Sequence, residues 1–358
     1  MAYATCDSNY MMRLIEGRAF FRYDMKVDKA CLLFNNAPVP LEYMEITCLY
    51  PSLTAFYHPL EISTFPDLVW PLYAYAKAHL ILPYALVLFY VVSIFYLQKV
   101  MEKRKAFDLR WPLIAWNLAL SVFSFIGFWR TLPMLLHNIF VQFDGYEEYL
   151  CAMPQISFGS GTTGAWVCWF IYSKVFELGD TLFIVFRKKP LIFLHWYHHV
   201  TVLLFCFHSY SHENPAGLIF CCMNYGVHAL MYGYYGLTAA RCRPKWWKPY
   251  TVTILQLSQM VVGVISSLLS LSAYLSHLKL EKTCHVDKAN LVAGGLMYSS
   301  YLFLFAKFAV ENWGRLGFKS KPHHTNGING TNDTNGTNGT NGTNGTNGTN
   351  GTNGKKKD

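Results

Sequence analysis

Apolar residues in this chain of 358 residues come in long blocks, without the alternation of a soluble helix or strand. Seven blocks reach the roughly 17–25 residues that a helix needs to cross a bilayer, at about 78–97, 111–129, 163–186, 191–210, 216–239, 251–275 and 290–310. The pattern predicts an all-α polytopic membrane protein with seven transmembrane helices. The apolar run at 131–142 is too short to span and is expected to lie at the surface or lead back into the bundle. Residues 1–75 are broken by Pro38, Pro40, Pro51, Pro59, Pro66 and Pro71 and read as a variable extension, with Met44–Tyr50 as an interfacial piece. From Asn326 to Gly354 an Asn-Gly-Thr repeat offers nothing apolar to bury and is expected to be disordered. The division expected is therefore an extension at 1–75, a helical domain at 76–315 and a tail at 316–358.

Composition agrees with the blocks. Hydrophobic residues make up 53% of the chain and charged residues only 14%, against about 25% charged in a soluble domain. The net charge of +9 is spread between the blocks and forms no single patch, so nucleic acid is not an expected partner. The charge also orients the spans. Lys99, Lys103, Arg104, Lys105 and Arg110 fall in one connection, Arg187, Lys188 and Lys189 in another, and Arg241, Arg243, Lys245 and Lys248 in a third. Arg315, Lys319 and Lys321 follow the last block, and with seven spans all four groups share one side. Basic connections stay in the cytosol, which puts the N-terminus in the lumen and the C-terminus in the cytosol. No basic segment leading directly into an apolar run opens the chain, so the first span is expected to act as the uncleaved targeting element. The repeat carries eight Asn-x-Thr sequons from Asn329 to Asn350, but a cytosolic tail never meets the lumenal glycosylation machinery. The ending Lys355-Lys356-Lys357-Asp358 resembles a dilysine retrieval signal, which also requires a cytosolic end.

Ten cysteines show no zinc spacing. Cys168, Cys206, Cys221 and Cys222 fall within spans as small apolar residues. The topology places Cys151 and Cys284 on the lumenal side, where a disulfide is permitted, and Cys6, Cys31 and Cys48 compete there as partners.

Ionisable groups inside spans are costly and point to function. The third block carries Lys174, Glu177, Asp180 and Thr181 at helical spacing, expected to share one inward face. The fourth carries His195, His198 and His199 at i, i+3 and i+4, again one face. The fifth adds Asn224, His228, Met231 and Tyr232, and the sixth Thr253, Gln256 and Gln259. Four successive helices each presenting a polar stripe imply a shared internal cavity. Neutral imidazole serves there as base, nucleophile or metal ligand, and a nucleophilic imidazole suits acyl transfer. Non-haem iron is the competing use of an HxxHH box, but membrane di-iron enzymes need about eight histidines in three boxes. Blocks four and five supply only His195, His198, His199, His208 and His228, so no metal is expected. A seven-span transporter or receptor has no need of the HxxHH face.

Four segments on successive blocks carry a resemblance: Lys174-Val-Phe-Glu177-Leu-Gly-Asp180-Thr181, His195-Trp-Tyr-His198-His199, Asn224-Tyr-Gly-Val-His228-Ala-Leu-Met231-Tyr232 and Thr253-Ile-Leu-Gln256-Leu-Ser-Gln259. In that order they resemble the ELO/ELOVL family of very long chain fatty acid elongases, over about 75–315. The extended form of the third segment is most similar to the branch acting on saturated and monounsaturated acyl-CoAs. The resemblance implies an endoplasmic reticulum enzyme, a 3-oxoacyl-CoA synthase, with seven spans around an internal acyl tunnel. It would condense acyl-CoA with malonyl-CoA, with no cofactor besides these substrates. By the same resemblance His198 would carry the acyl group, supported by His195 and His199, while Asn224 and His228 would position malonyl-CoA. Lys174, Glu177, Asp180, Tyr232, Gln256 and Gln259 would shape the cavity and contact substrate, and Cys151 and Cys284 would form the lumenal disulfide. Membrane lipid, the reductases and dehydratase of the elongation cycle and a second copy of the chain are the partners it implies.

Overall fold

A computed structural model describes residues 26–28, 31–34, 37–40, 46–58, 60–61, 65–152, 157–158 and 161–313. The Asn-Gly-Thr repeat, its sequons, the terminal lysines and Cys6 lie outside the described residues. Three short strands, β1 (Lys26–Asp28), β2 (Cys31–Phe34) and β3 (Ala37–Pro40), pair antiparallel in the order of the chain. A short helix α1 (Ile46–Leu49) and a 3-10 turn (Pro51–Phe56) follow.

The rest is helical: α2 (Phe65–Ala78), α3 (Ile81–Glu102), α4 (Arg110–His137), α5 (Tyr146–Cys151), α6 (Gly161–Glu177), α7 (Gly179–Phe186), α8 (Phe193–Ser211), α9 (Gly217–Ala240), α10 (Pro249–Lys279) and α11 (Lys288–Trp313). Each apolar block of the sequence falls in this series, α6 and α7 together covering the third. Among the described residues, four helices are long and apolar enough to cross a membrane: Ile81–Glu102, Arg110–Gln142, Pro249–Lys279 and Lys288–Asn312. The architecture is that of an all-α chain whose apolar helices fit a polytopic membrane protein. The three blocks between these pairs fall short as isolated spans. One is broken at Leu178, and the other two carry the histidines, Asn224 and the tyrosines.

Burial follows the same division. On α6 every residue from Gly161 to Cys168 is buried, as are Lys174 and Glu177 further along. The four apolar helices instead expose large side chains such as Leu88, Phe89, Leu268 and Phe303. An apolar outer surface around helices with polar interiors is what lipid contact demands.

Two close approaches fix the helix pairs. A Cβ at Gly127 would stand 2.4 Å from the ring of Tyr225, so α4 and α9 meet only because residue 127 has no side chain. Gly263 does the same for α10 against Tyr298 of α11, where a Cβ would lie 2.2 Å from the ring. The run at 131–142 is buried in the bundle at Thr131, Met134, His137 and Asn138 and exposed at Ile139, Phe140 and Val141. It continues α4 to His137 and ends in one π turn, Asn138–Gln142. Cys151 and Cys284 are joined by a disulfide that ties α5 to the connection before α11.

The piece expected to be interfacial, Met44–Tyr50, makes contact with the bundle through its described residues. Ile46 and Thr47 are buried, and Tyr57 joins the main core. Glu61 accepts from Arg130 Nε at 2.5 Å and Nη2 at 2.9 Å, and from Trp166 Nε1 at 3.1 Å. The Arg130 guanidinium also lies 4.3 Å from the Tyr57 ring. Burial raises the Glu61 carboxyl, but Arg130 outweighs it and holds the group below its ordinary value. The anchor therefore holds at neutral pH and weakens as pH falls through that lowered value.

Candidate active site

Within α6, Lys174 and Glu177 stand one turn apart and point into the bundle, their side chains 2% and 4% exposed. Lys174 Nζ donates to Glu177 Oε1 at 2.6 Å and to Asn224 Oδ1 of α9 at 2.9 Å. Glu177 Oε1 also lies 3.6 Å from His228 Nδ1, one helical turn beyond Asn224. One lysine thus joins a carboxylate of α6 to the carboxamide of α9, and the carboxylate faces the imidazole. A buried charge survives only when paired and bonded in this way. With Oδ1 committed to Lys174, the Asn224 side chain is held with its N–H₂ as the remaining donor.

Asp180 does not join this network, contrary to the continuous face expected of the third block. The helix breaks at Leu178, and Asp180 lies in the first turn of the next helix. Its carboxylate instead accepts from Trp116 Nε1 of α4 and Tyr232 OH of α9, each at 2.6 Å. Tyr232 therefore braces Asp180. Thr181 Oγ1 hydrogen-bonds to His195 Nε2 at 3.0 Å and to Tyr90 OH of α3 at 2.7 Å.

The three histidines of α8 lie together. The His195 and His199 rings are 4.5 Å apart, and those of His198 and His199 5.5 Å. His199 is buried, whereas His195 and His198 are half-buried. The Tyr301 ring of α11 rests 5.0 Å from His198, and its hydroxyl donates to the His198 carbonyl at 3.2 Å and bonds Thr201 Oγ1 at 2.5 Å. Within the cluster, His199 Nδ1 and Glu177 Oε2 have no hydrogen-bond partner among the described residues.

His198, Asn224 and Gln259 line one cavity between α6, α8, α9, α10 and α11. Its walls are otherwise mainly apolar, with Val167, Phe170, Ile171, Val202, Phe205, Phe220, Met260 and Met297. Ser209, Tyr210 and Asn214 add polar atoms further along, and a few polar groups set in mainly apolar walls suit a ligand with a reactive head and a hydrocarbon body. Gln256 is not on this wall: its Nε2 lies 3.1 Å from Met231 Sδ. Among the described residues, the His/Cys/Asp/Glu groups close enough to share an ion are His208, His212 and Asp287, and Cys151, His277 and Cys284. The HxxHH histidines belong to neither. Sequence reasoning missed Tyr90, Trp116 and Tyr301, aromatic residues in apolar blocks that look like packing until their partners are seen.

Comparison with known proteins adds to this geometry. Residues 75–321 match the model of the GNS1/SUR4 family. The chain is 42% identical over 219 residues to "Very long chain fatty acid elongase 6" of Drosophila melanogaster, covering 61% of this chain and 68% of that one. It is 43% identical over 219 residues to "Putative fatty acid elongase 3" of Caenorhabditis elegans, covering 61% and 66%. It is 39% identical over 241 residues to "Very long chain fatty acid elongase 3" of Homo sapiens, covering 66% and 85%.

Proposed function

The chain belongs to the GNS1/SUR4 family, and from that premise we propose that it is a fatty acid elongase, a 3-oxoacyl-CoA synthase acting through an acyl-histidine. It condenses a long-chain acyl-CoA with malonyl-CoA, giving a 3-oxoacyl-CoA two carbons longer, CoA and carbon dioxide. The observation that carries the reading is the cavity, which His198 and Asn224 line together with mainly apolar walls.

In the first stage an imidazole nitrogen of His198 attacks the thioester carbonyl. The C–S bond breaks, and CoA leaves as the thiol with the imidazole proton. The acyl-imidazole keeps a good leaving group on the carbonyl. In the second stage malonyl-CoA loses carbon dioxide, and the electrons of the broken C–C bond form an enolate. That carbon attacks the acyl carbonyl, the C–N bond breaks, and the imidazole recovers its electron pair and a proton. On this reading the Asn224 amide, aimed by Lys174, and the His228 imidazole, faced by Glu177, hold the thioester oxygen as charge develops on it. His195, held by Thr181, and His199 fix the ring environment of His198. The apolar walls keep water from the acyl-imidazole.

The setting is an endoplasmic reticulum membrane crossed seven times, with a lumenal N-terminus and a cytosolic C-terminus. CoA then approaches from the side of the basic connections, which suit its phosphates. The extension at 1–75, the domain at 76–315 and the tail at 316–358 divide the chain on this reading. The Asn224–Tyr235 segment favours saturated and monounsaturated acyl chains. The enzyme hands its product to the reductases and dehydratase of the elongation cycle.

Purified protein in detergent or nanodiscs, given acyl-CoA and malonyl-CoA labelled in its free carboxyl, is expected to release labelled carbon dioxide and 3-oxoacyl-CoA in equal amounts. Labelled carbon dioxide without a lengthened product would reject the reading.

A further inference from the structure

We propose that the connection between α9 and α10 binds the headgroup of an anionic phospholipid, through Arg241, Lys245 and Lys248 grouped around an exposed Trp246. None of these residues lines the cavity. All three cations are exposed, and among the described residues no ion pair engages them. Nor does the sequence supply a local counterion, since no acidic residue stands between Glu213 and Glu281. Basic side chains gathered with no carboxylate among them attract an anion from outside the chain.

The turn that carries them is pinned to α9. Arg243 is taken out of the group, because its Nη1 donates to the Trp247 carbonyl and its guanidinium lies 5.3 Å from the Tyr234 ring. Trp247 meets the same ring edge-on at 5.7 Å. Trp246 stacks on Trp247, with centroids 5.9 Å apart and planes 7° apart, yet is itself 76% exposed. Its level in a bilayer follows from α10, one of the helices long and apolar enough to cross. Ile254, Val261, Ile265 and Leu268 stand exposed along one face of that helix, and exposed Tyr250 extends the face one turn toward the connection. The hydrocarbon layer therefore ends near Tyr250, and residues 245–248 fall among the headgroups, where indole rings settle. The start of α4 lies alongside: Arg110 Nε donates to the Ala239 carbonyl at 3.0 Å and Nη2 to that of Ala240 at 3.3 Å. Its Trp111 is 74% exposed. Unpaired cations and exposed indoles at the edge of an apolar belt match a phospholipid, whose phosphate meets the cations and whose glycerol layer takes the rings.

The test titrates phosphatidylserine and phosphatidylcholine of the same acyl chains into the full-length protein in detergent, and counts retained lipid by native mass spectrometry at about 0.15 M ionic strength. A basic residue beside an anionic headgroup is worth about fivefold in affinity, so three give the unaltered protein a preference for phosphatidylserine of about a hundredfold. Lys245→Gln with Lys248→Gln is expected to lower that preference by about 25-fold, with no change in melting temperature. Lys245→Arg with Lys248→Arg keeps the charges and the preference. Trp246→Ala weakens retention of both lipids alike. Lys103→Gln with Lys105→Gln, on another basic connection, leaves the preference as it was, and free CoA at the lipid's concentration does not displace the lipid. Equal retention of the two lipids by the unaltered protein would overturn the proposal. So would an equal loss in the Lys103 and Lys105 variant, which would mean diffuse charge, or undiminished retention in Trp246→Ala. Displacement of the lipid by CoA would assign the surface to a soluble phosphate carrier and overturn it as well.

Discussion

Replacing His198 by alanine is expected to lower condensation by at least about a thousandfold, because the two-stage route loses its acyl carrier. The same change should leave the bundle folded. Its contact with Tyr301 has two parts, and the hydrogen bond from the tyrosine hydroxyl goes to the backbone carbonyl of residue 198, which alanine keeps. Only the packing of the rings is lost. Half-buried as the imidazole is, its removal is expected to cost about 1 kcal/mol, typical of a single substitution. His198→Gln separates carrier from spacer. It fills similar space and keeps a hydrogen-bonding end, but it has no nucleophilic nitrogen. Near-normal turnover by either variant, with an unaltered melting temperature, would remove His198 from the role of carrier.

The second large effect belongs to Lys174. Lys174→Met leaves the Glu177 carboxylate buried without a cation, with only the Ser173 hydroxyl and His228 beside it, and leaves Asn224 Oδ1 without its donor. Breaking a buried pair from one side costs about 3–5 kcal/mol, so the unfolding midpoint should drop markedly. Lys174→Met with Glu177→Leu removes both charges, and much of the stability is expected to return. Activity is not expected to return with it, since the amide of Asn224 is still unheld. Thermal unfolding and condensation measured on the same preparations check both halves. Recovery of turnover along with stability would show that the lysine only balances charge and does not position Asn224.

The sequence marks the helices well, because apolar blocks of span length and the basic connections between them are coarse signals. It marks the polar stripes too: His198, Asn224 and Gln259 are legible as residues of one interior, and they line one cavity. Reading goes astray where spacing is extended through a break. Lys174, Glu177 and Asp180 look like one face, yet the helix stops at Leu178 and Asp180 turns to Trp116 and Tyr232. Gln256 and Gln259, three residues apart, look equivalent, but only Gln259 reaches the cavity. Nor does spacing within one helix reveal bonds across the bundle. Tyr90 to Thr181, Tyr301 to His198 and Glu61 to Arg130 join residues far apart in the chain. The segment at 46–61 was hidden for the same reason: prolines obscure its pattern, while its anchor depends on an arginine inside α4.

The most direct measurement is to expose the purified protein to acyl-CoA alone, without malonyl-CoA, and locate the acyl group by peptide mass spectrometry. Two buried thiols, Cys206 and Cys221, line the same cavity and are the rival acceptors. The expected result is one acyl mass on the peptide bearing His198, lost in His198→Ala and discharged when malonyl-CoA is added. An acyl group on Cys206 or Cys221, or condensation at full rate with no acylated protein, would contradict the histidine carrier.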